Sequence, residues 1–322
     1  KEIQALEKLG TYDVVTMADV PPDTPIIGSG IVLKIKYEGQ SIARYKARIV
    51  ARGNQQRAGH NYTDTYSHAA TITEMKTFWA CATAAGLDKR HLDVDTAFLH
   101  SPLDQDIYMR PPNDLIAGGF FPHGAILLLK KGLYGLKQAN RLWNLYLKQK
   151  VLSIGFTQSP SCQDLYLLRN DTMSINLLVY VDDVQAASDS HETTLWLIRK
   201  LNTLFPCKDL GEPCWLLNAA FKVHSNGTLT INQADYMTKM ATTFGLLQCR
   251  PVYSPGDHKL ELIHNTGTPF DCAYRSLHGT LLYAACFTRG DIALQLSKLA
   301  SYVSNPSETH WKALLRLATY CY

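Results

Sequence analysis

The first part of the chain alternates between helical and extended hydrophobic patterns. Residues 1–9 repeat apolar side chains at helical spacing, which predicts a short amphipathic helix. Residues 31–38 and 44–51 instead alternate apolar and polar positions with a period of two. With a Gly-Gln-Ser turn at 39–41, these two segments predict a β-hairpin.

The remaining pattern mixes both kinds of element. It predicts helices at 73–86, 133–154 and 192–204, and strands at 90–99, 125–129, 164–169 and 174–181. An Asn-Gly pair at 226–227 lies between two alternating segments and gives the clearest hairpin signal in the chain. From residue 233 onward the pattern is helical. The sequence therefore predicts an α+β body followed by a helical C-terminal part.

Composition narrows the class of protein. The 322 residues are 46% hydrophobic and 19% charged, which excludes disorder, collagen and coiled coil as the main architecture. The apolar runs are far shorter than the roughly 20 residues that span a bilayer, and the first residues do not form a signal peptide. The eight cysteines contain no Cys-x-x-Cys pair, so we expect reduced thiols. We predict an intracellular protein without a membrane partner.

Basic residues are concentrated in two zones, although the formal net charge is only +4. Seven basic residues against one acid lie between 30 and 57, and six without any acid lie between 130 and 150. On the predicted strand 44–51, three cations share one face: Arg44, Lys46 and Arg48. Either zone alone fits a solvated face, whereas two zones that flank an acid-rich one favour a phosphate-binding cleft.

Carboxylates at the ends of apolar strands carry the strongest chemical signal. Tyr-Val-Asp-Asp at 180–183 follows one apolar strand, and Asp93 interrupts another. Adjacent carboxylates are costly to bury unless cations neutralise them. Asp93, Asp182 and Asp183 therefore suit a pair of Mg²⁺ ions, which bind oxygen ligands and assist in-line phosphoryl transfer. By itself, Asp-Asp after a strand also fits an ordinary turn.

Three motifs resemble, in order and spacing, the palm motifs of Copia-type LTR-retrotransposon reverse transcriptases, which are domains of a Pol polyprotein. They are Leu-Asp-Val-Asp-Thr-Ala-Phe-Leu at 92–99, Leu-Tyr-Gly-Leu-Lys-Gln-Ala at 133–139 and Tyr-Val-Asp-Asp at 180–183. The resemblance covers nearly the whole chain through further segments at 44–53, 62–67, 107–112, 209–211, 274–279 and 310–311. The sequence departs from the family pattern at Asn140, at 216–221 and at Gly290.

The resemblance implies a right-hand polymerase of the α+β class. Residues 1–90 would form mainly the fingers, and 91–215 the palm with an interleaved fingers segment. Residues 216–322 would form the primer-grip hairpin, the thumb and the start of the connection. Because only one acid, Glu308, follows Asp291, we expect no RNase H domain.

The resemblance also assigns site residues one by one. Three aspartates match the catalytic metal ligands: Asp93, Asp182 and Asp183. The backbone carbonyl of Val94 matches a further metal ligand. The nucleotide-binding positions are Lys46, Arg48, Asp95, Thr96, Ala97, Phe98, Tyr134 and Gly135. The template–primer positions are Lys137, Gln138, Tyr180 and Val181.

Two of these assignments leave alternatives open. Phe98 matches the aromatic gate that leaves no room for a 2′-hydroxyl, and the alternative is an ordinary core residue. Either Lys46 or Arg48 grips the incoming triphosphate. Gly135 matches a position where the backbone makes a close approach.

The implied activity is RNA-directed DNA polymerisation, in which a primer 3′-hydroxyl is extended with dNTPs. The expected cofactor is two Mg²⁺ ions, with Mn²⁺ as a substitute. The expected partners are an RNA template, a DNA or RNA primer such as a tRNA, and dNTPs, whereas the oligomeric state is open. We expect the protein in cytoplasmic virus-like particles, with the nucleus as the alternative. The rival function is a non-catalytic nucleic-acid-binding or scaffold protein that descends from such an enzyme.

Overall fold

The computed structural model describes residues 2–38, 41–257 and 259–322. The described strands are β1 (Tyr12–Val15), β2 (Ile26–Ile27), β3 (Ser29–Glu38), β4 (Ser41–Ala51), β5 (Asp88–Val94), β6 (Pro102–Met109), β7 (Ile126–Lys131), β8 (Thr157–Gln158), β9 (Leu165–Arg169), β10 (Ser174–Tyr180), β11 (Asp183–Ser188), β12 (Cys207–Asp209), β13 (Trp215–Leu216), β14 (Ala219–Val223) and β15 (Leu229–Asn232). The described helices are α1 (Glu2–Lys8), α2 (Ile72–Ala84), α3 (Asn113–Ala117), α4 (Ala139–Ser153), α5 (His191–Leu204), α6 (Ala234–Thr243), α7 (Tyr274–Phe287), α8 (Ala293–Ala300) and α9 (Glu308–Cys321). The predicted α+β class is confirmed.

Most predicted elements lie within a few residues of their expected positions, with three corrections. The helix predicted over 133–154 begins only at Ala139, and turns at 134–135 and 137–138 precede it. The strand predicted over 90–99 ends at Val94, because Thr96 takes a left-handed φ of 55° and a 3₁₀ turn follows at Ala97–His100. A left-handed residue cannot continue a strand. The described residues of 244–273 form neither helix nor strand, so the predicted C-terminal helical part is interrupted. Gly39 and Gln40 of the predicted hairpin turn lie outside the described residues.

A six-stranded antiparallel sheet in the described part of the chain has the order β12-β5-β11-β10-β9-β8. One of its faces carries apolar side chains such as Leu92 and Val184, which pack against α4 and α5 in a buried core. Because successive side chains of a strand point to opposite faces, Asp93 and Asp183 lie on the other face. The core therefore fixes the strands that carry these carboxylates.

A second described sheet, of order β1-β7-β6-β2, forms another core together with α1. The two-stranded hairpin β3–β4 joins this core at its base through the buried residues Ile49 and Ala51. Further from the base, Lys34 pairs with Lys46 and Val32 with Arg48. Directly paired residues share a face, so the hairpin presents cations on one side, as the sequence predicts.

The contacts divide the chain into two compact units. The first comprises Lys1–Thr71 and Leu87–Gly211, and the second comprises Ile72–Gly86 and Glu212–Tyr322. The second unit has its own core from α6, α7, α8 and α9. The segment that holds α2 belongs to the second unit, although the resemblance assigns it to the fingers; the division into fingers, palm and thumb stays a prediction. Within the described residues, no helix has the length and apolar character required to cross a bilayer.

Candidate active site

Asp182 and Asp183 lie at the tight turn between β10 and β11. Tyr180 pairs with Asp183, so Val181 and Asp182 form a two-residue turn. Val181 adopts a φ of 55°, which is unfavourable for a β-branched residue. The indole Nε1 of Trp143 on α4 donates a hydrogen bond of 2.8 Å to the Val181 carbonyl. The buried tryptophan thus helps to hold a strained turn, a feature that is typical of functional sites.

Asp93 lies directly across the sheet from Asp183. The two residues are partners in the antiparallel pairing of β5 with β11. The next residue, Val94, is buried, and its backbone N–H donates a 2.9 Å hydrogen bond to the carbonyl of Asp182. The register therefore brings the three predicted metal-binding aspartates to one corner of the sheet, which we call the carboxylate corner. The role of the Val94 carbonyl stays a prediction.

The three carboxylates repel one another at this corner. Burial, followed by the charges of Asp93 and Asp183, raises the pKa of Asp182 to about 6. Burial and the charge of Asp183 also raise the pKa of Asp93. Lys46 opposes the rise at both groups, and Arg48 opposes it at Asp182. The cationic face of the hairpin therefore lies close enough to neutralise part of the negative charge.

The donor atoms fit Mg²⁺ by their chemistry. Asp182 Oδ1 is buried without a hydrogen-bond partner, and such an atom is costly unless a donor or a cation completes it. One oxygen of Asp183 is already engaged, because it lies 2.8 Å from His91 Nε2. Across the described residues, no group of three His, Cys, Asp or Glu side chains is arranged so that it could hold a metal as it stands.

Arg48 and Phe98 both contact the ring of Tyr134, and we call these three residues the Tyr134 cluster. The Arg48 guanidinium carbon lies 4.2 Å from the centre of the Tyr134 ring, and Nη2 donates a 3.3 Å hydrogen bond to its hydroxyl. Phe98 meets the same ring edge to face, with centroids 5.1 Å apart. Burial, followed by the charge of Asp182, raises the pKa of Tyr134 to about 12. Tyr134 and Arg48 are therefore within electrostatic reach of the carboxylate corner.

Phe98 is half-buried and packs against both cores of the first unit. The sequence left open whether this ring is a gate or a core residue. The structure gives the ring a packing role, and the residue as a whole is only partly buried beside Tyr134. Its position is therefore compatible with both the gate and the core function.

Gly135 permits a close approach between two backbone segments. It has a φ of 91°, and a Cβ atom there would lie 2.2 Å from the carbonyl oxygen of Ala51. A Cβ on Gly53 would in turn lie 2.0 Å from the Gly135 carbonyl oxygen. Ala51 also donates a 2.8 Å backbone hydrogen bond to Tyr134. The close approach predicted at Gly135 is thus to the chain's own backbone, and it fixes Tyr134 at the base of the hairpin.

The loop after β5 carries the other predicted nucleotide-binding residues. Asp95 is exposed, and its carbonyl accepts hydrogen bonds from Thr96 Oγ1 at 2.7 Å and His100 Nε2 at 3.0 Å. Its charge adds to the rise in the pKa of Asp93, after burial and Asp183. Ala97 is buried. Asp95 therefore acts on the corner through its charge, while its backbone holds the loop.

Gln138, which the resemblance assigns to template–primer contact, lies inside the first unit. Its side chain is completely buried, and its amide donates to Asn61 O at 2.7 Å and accepts from Gln56 Nε2 at 2.9 Å. This amide is therefore engaged within the protein, and its contact with template or primer stays a prediction. The neighbouring Lys137 is exposed, and its Nζ donates a 3.1 Å hydrogen bond to the hydroxyl of Tyr62. Tyr180 is partly exposed, as is Val181 in the strained turn.

Two residues that the sequence did not single out contribute to this site. His91 contacts Asp183, and Trp143 holds the turn that carries Asp182. A signal existed for His91, because it precedes Asp93 by two positions and so shares its face of the strand. No sequence signal marked Trp143, since α4 meets the turn only through the tertiary fold.

A profile of the reverse transcriptase (RNA-dependent DNA polymerase) family matches residues 11–258. The retrovirus-related Pol polyprotein from transposon RE1 of Arabidopsis thaliana is 32% identical over 322 residues, which cover 99% of this chain and 22% of that protein. The transposon RE2 polyprotein from the same plant is 31% identical with the same coverage. The chain therefore spans about a fifth of the length of these relatives.

A relative of more similar length is the putative transposon Ty5-1 protein of Saccharomyces cerevisiae. It is 32% identical over 241 residues, which cover 72% of this chain and 75% of that protein. Among solved structures, a foamy viral protease–reverse transcriptase in complex with double-stranded DNA has a TM-score of 0.49 and 12% identity, covering 99% of this chain and 47% of that one. The sequence matches, and not this structural similarity, carry the family assignment.

Proposed function

The chain belongs to the reverse transcriptase (RNA-dependent DNA polymerase) family, in its Copia-type branch, and from this premise we propose that it is an active polymerase. In the proposed reaction, a primer 3′-hydroxyl attacks the α-phosphate of a dNTP on an RNA or DNA template, and pyrophosphate leaves. The proposed partners are an RNA template and a DNA or RNA primer, and the proposed location is the virus-like particle.

One observation supports this proposal above the others. The fold assembles three carboxylates at one corner of a sheet and brings two hairpin cations within electrostatic reach of them. A nucleic-acid-binding scaffold needs the cations but has no use for mutually repelling, half-buried carboxylates. Holding repelling carboxylates together lowers the stability of the fold unless bound cations and phosphates offset the repulsion.

Asp93, Asp182 and Asp183 would hold Mg²⁺ in this reaction. When bound, Mg²⁺ supplies positive charge to the attacking and leaving oxygens of an in-line displacement. Phe98 and Tyr134 would support the sugar and base of the incoming nucleotide through their paired rings. Catalysis would then rest on positioning and on charge neutralisation.

Of the two candidates for gripping the triphosphate, Arg48 is favoured by its packing. Its guanidinium is held against the Tyr134 ring, so little conformational freedom is left to lose on binding. A guanidinium also binds phosphate oxygens in a bidentate manner, which an ammonium cannot do. Lys46 would add charge from the same face of β4.

The test is Mg²⁺-dependent incorporation of dTTP on poly(rA)/oligo(dT). We expect incorporation by the wild-type chain, and none by the Asp182→Asn variant under the same conditions. A polymerase assignment also requires that omission of the template abolishes incorporation. Binding of the primer–template without incorporation, under conditions in which the chain is folded, would instead favour the non-catalytic rival.

A further inference from the structure

A buried histidine contacts the carboxylate corner. His91 lies on β5 two residues before Asp93, and only 6% of its surface is exposed. Its Nε2 atom lies 2.8 Å from Asp183 Oδ1, whereas the side chain of Asp183 is 30% exposed. Since an ionised carboxylate only accepts hydrogen bonds, Nε2–H is the donor of this pair. The histidine therefore holds one oxygen of Asp183 from the buried side.

The backbone around His91 is fixed on both sides. Its N–H donates to the carbonyl of Gly211, and its own carbonyl accepts from Leu210 N, both at 2.9 Å. On the opposite side, β5 pairs with β11, where Gln185 is the direct partner of His91. A ring that projects from an inner strand between two neighbours has little freedom to move. The direction of its Nε2–H bond is thus set by the sheet.

The two adjacent aspartates differ in what holds them. Asp182 Oδ1 is buried with no hydrogen-bond partner, while Asp183 Oδ1 has the donor His91. In the described part of the chain, no hydrogen bond from another side chain to Asp183 is seen. When one oxygen of a carboxylate is fixed, the direction of the second oxygen follows from the rigid geometry of the group. His91 therefore determines where the free oxygen of Asp183 points.

We propose that His91 is a positioning residue, which holds Asp183 so that its second oxygen faces the Mg²⁺ that it would share with Asp93 and Asp182. The proposal rests on the proposed polymerase function of this site. Outer hydrogen bonds of this kind orient metal ligands, and their loss typically lowers metal affinity or activity by about 10–100-fold. His91 itself touches neither substrate nor metal in this arrangement.

A matched pair of variants isolates the hydrogen bond from the packing. In His91→Gln the amide nitrogen is the same number of bonds from Cβ as Nε2 is in histidine, so the donor is kept. In His91→Met the side chain has a similar length and volume but lacks this donor. The two variants therefore differ in the group that reaches Asp183, and much less in how they fill the space.

Two measurements are made on the full chain. Binding of Mn²⁺ is followed by electron paramagnetic resonance without nucleic acid, and kcat and KM for dTTP are measured on poly(rA)/oligo(dT). We expect His91→Met to weaken Mn²⁺ binding and to lower kcat, each by about 10–100-fold, with KM for dTTP within about threefold. We expect His91→Gln to restore most of both losses.

A histidine in the other unit provides the control. His278 on α7 is also buried, and its Nε2 lies 3.2 Å from the carbonyl oxygen of Leu296. We expect His278→Met to lower the melting temperature without changing Mn²⁺ affinity. If His91→Met fails to fold, His91→Leu takes its place in the comparison with His91→Gln.

The outcomes separate this proposal from the proposed function. Equal Mn²⁺ affinity and equal kcat in His91→Met, His91→Gln and wild type would overturn the positioning role while polymerase activity stands. A wild-type chain without polymerase activity, in which Mn²⁺ binding still depends on the His91 donor, would support the positioning role and overturn the polymerase. A folded wild-type chain that neither binds Mn²⁺ nor extends primers would overturn both.

Discussion

The carboxylate corner and the β3–β4 hairpin hold opposite charges in opposite ways. Asp93 and Asp183 lie on β5 and β11, which are inner strands with hydrogen-bonded neighbours on both sides. Lys46 and Arg48 lie on a two-stranded hairpin, whose other face exposes Leu33 at 78% and Tyr45 at 76%. The negative charges are thus carried by inner strands of a sheet, and the positive charges by a hairpin with only two strands.

This difference follows from the electrostatic forces that act on each set of charges. Carboxylates that repel one another separate unless the backbone fixes them, and an inner strand provides that restraint. Cations that bind a phosphate chain are attracted to their ligand, so they need no comparable restraint against one another. Arg48 is intermediate, since Tyr134 restrains its guanidinium near the base.

The largest expected effect breaks the carboxylate corner. Asp182→Asn or Asp93→Asn removes a charge that Mg²⁺ requires, so we expect incorporation of dTTP to fall to the background of the assay. Primer–template affinity should change little, because Lys and Arg contacts to phosphates supply most of it. Asp95→Asn is the control and should have a mild effect. Primer extension by the Asp182→Asn variant would refute the site assignment.

The next effect concerns Phe98, which contacts Tyr134 at the base of the hairpin. If its ring closes the floor beneath the sugar, Phe98→Val should raise the ratio of rNTP to dNTP incorporation by one to several orders of magnitude. Each tenfold step corresponds to about 1.4 kcal/mol of barrier. The melting temperature is measured on the same variant. An unchanged ratio together with a strongly lowered melting temperature would show that Phe98 is a core residue only.

A third prediction breaks the attachment of the hairpin. Gly135→Ala would place a methyl group 2.2 Å from the Ala51 carbonyl oxygen, which cannot move without disturbing the base of β4. We expect a loss of about 2–4 kcal/mol in the free energy of unfolding, measured by chemical denaturation. Gly124→Ala is the matched control. It has a positive φ of 79° but open space around the new methyl group, so only about 1–2 kcal/mol should be lost.

The sequence predicted the carboxylate corner better than its supports. Asp93 interrupts one apolar strand, and Asp182 and Asp183 directly follow another. This is a local pattern that can be read without knowledge of the fold. Gln138 was assigned to template–primer contact, whereas its amide is engaged by Gln56 and Asn61. Those partners lie far away along the chain, so no local pattern reveals them.

The end of β5 shows the same limit on a smaller scale. The pattern predicts a strand to residue 99, but the strand ends at Val94 because Thr96 adopts a left-handed conformation. This turn is held by hydrogen bonds such as that from Asp95 N to the Pro206 carbonyl at 3.0 Å. Threonine has no intrinsic preference for a left-handed conformation, so the tertiary contacts determine where the strand stops.

The smallest expected effect is the loss of folding stability that the carboxylate corner causes in the absence of metal. Burial and like charge raise the pKa of Asp182 from 3.8 to about 6. Between these values the folded protein binds more protons than the unfolded chain, so the metal-free protein should lose stability as the pH rises from about 4 to 6. Asp182→Asn removes this loss, so at pH 7 in EDTA its free energy of unfolding should exceed that of wild type by about 1–3 kcal/mol.

This difference in the free energy of unfolding should vanish below about pH 4, whereas Asp171→Asn in an exposed turn should follow wild type throughout. The test is urea denaturation of the three proteins across this pH range. If the free energy of unfolding of Asp182→Asn and of wild type changes with pH in parallel, the carboxylate corner does not destabilise the fold by electrostatic repulsion.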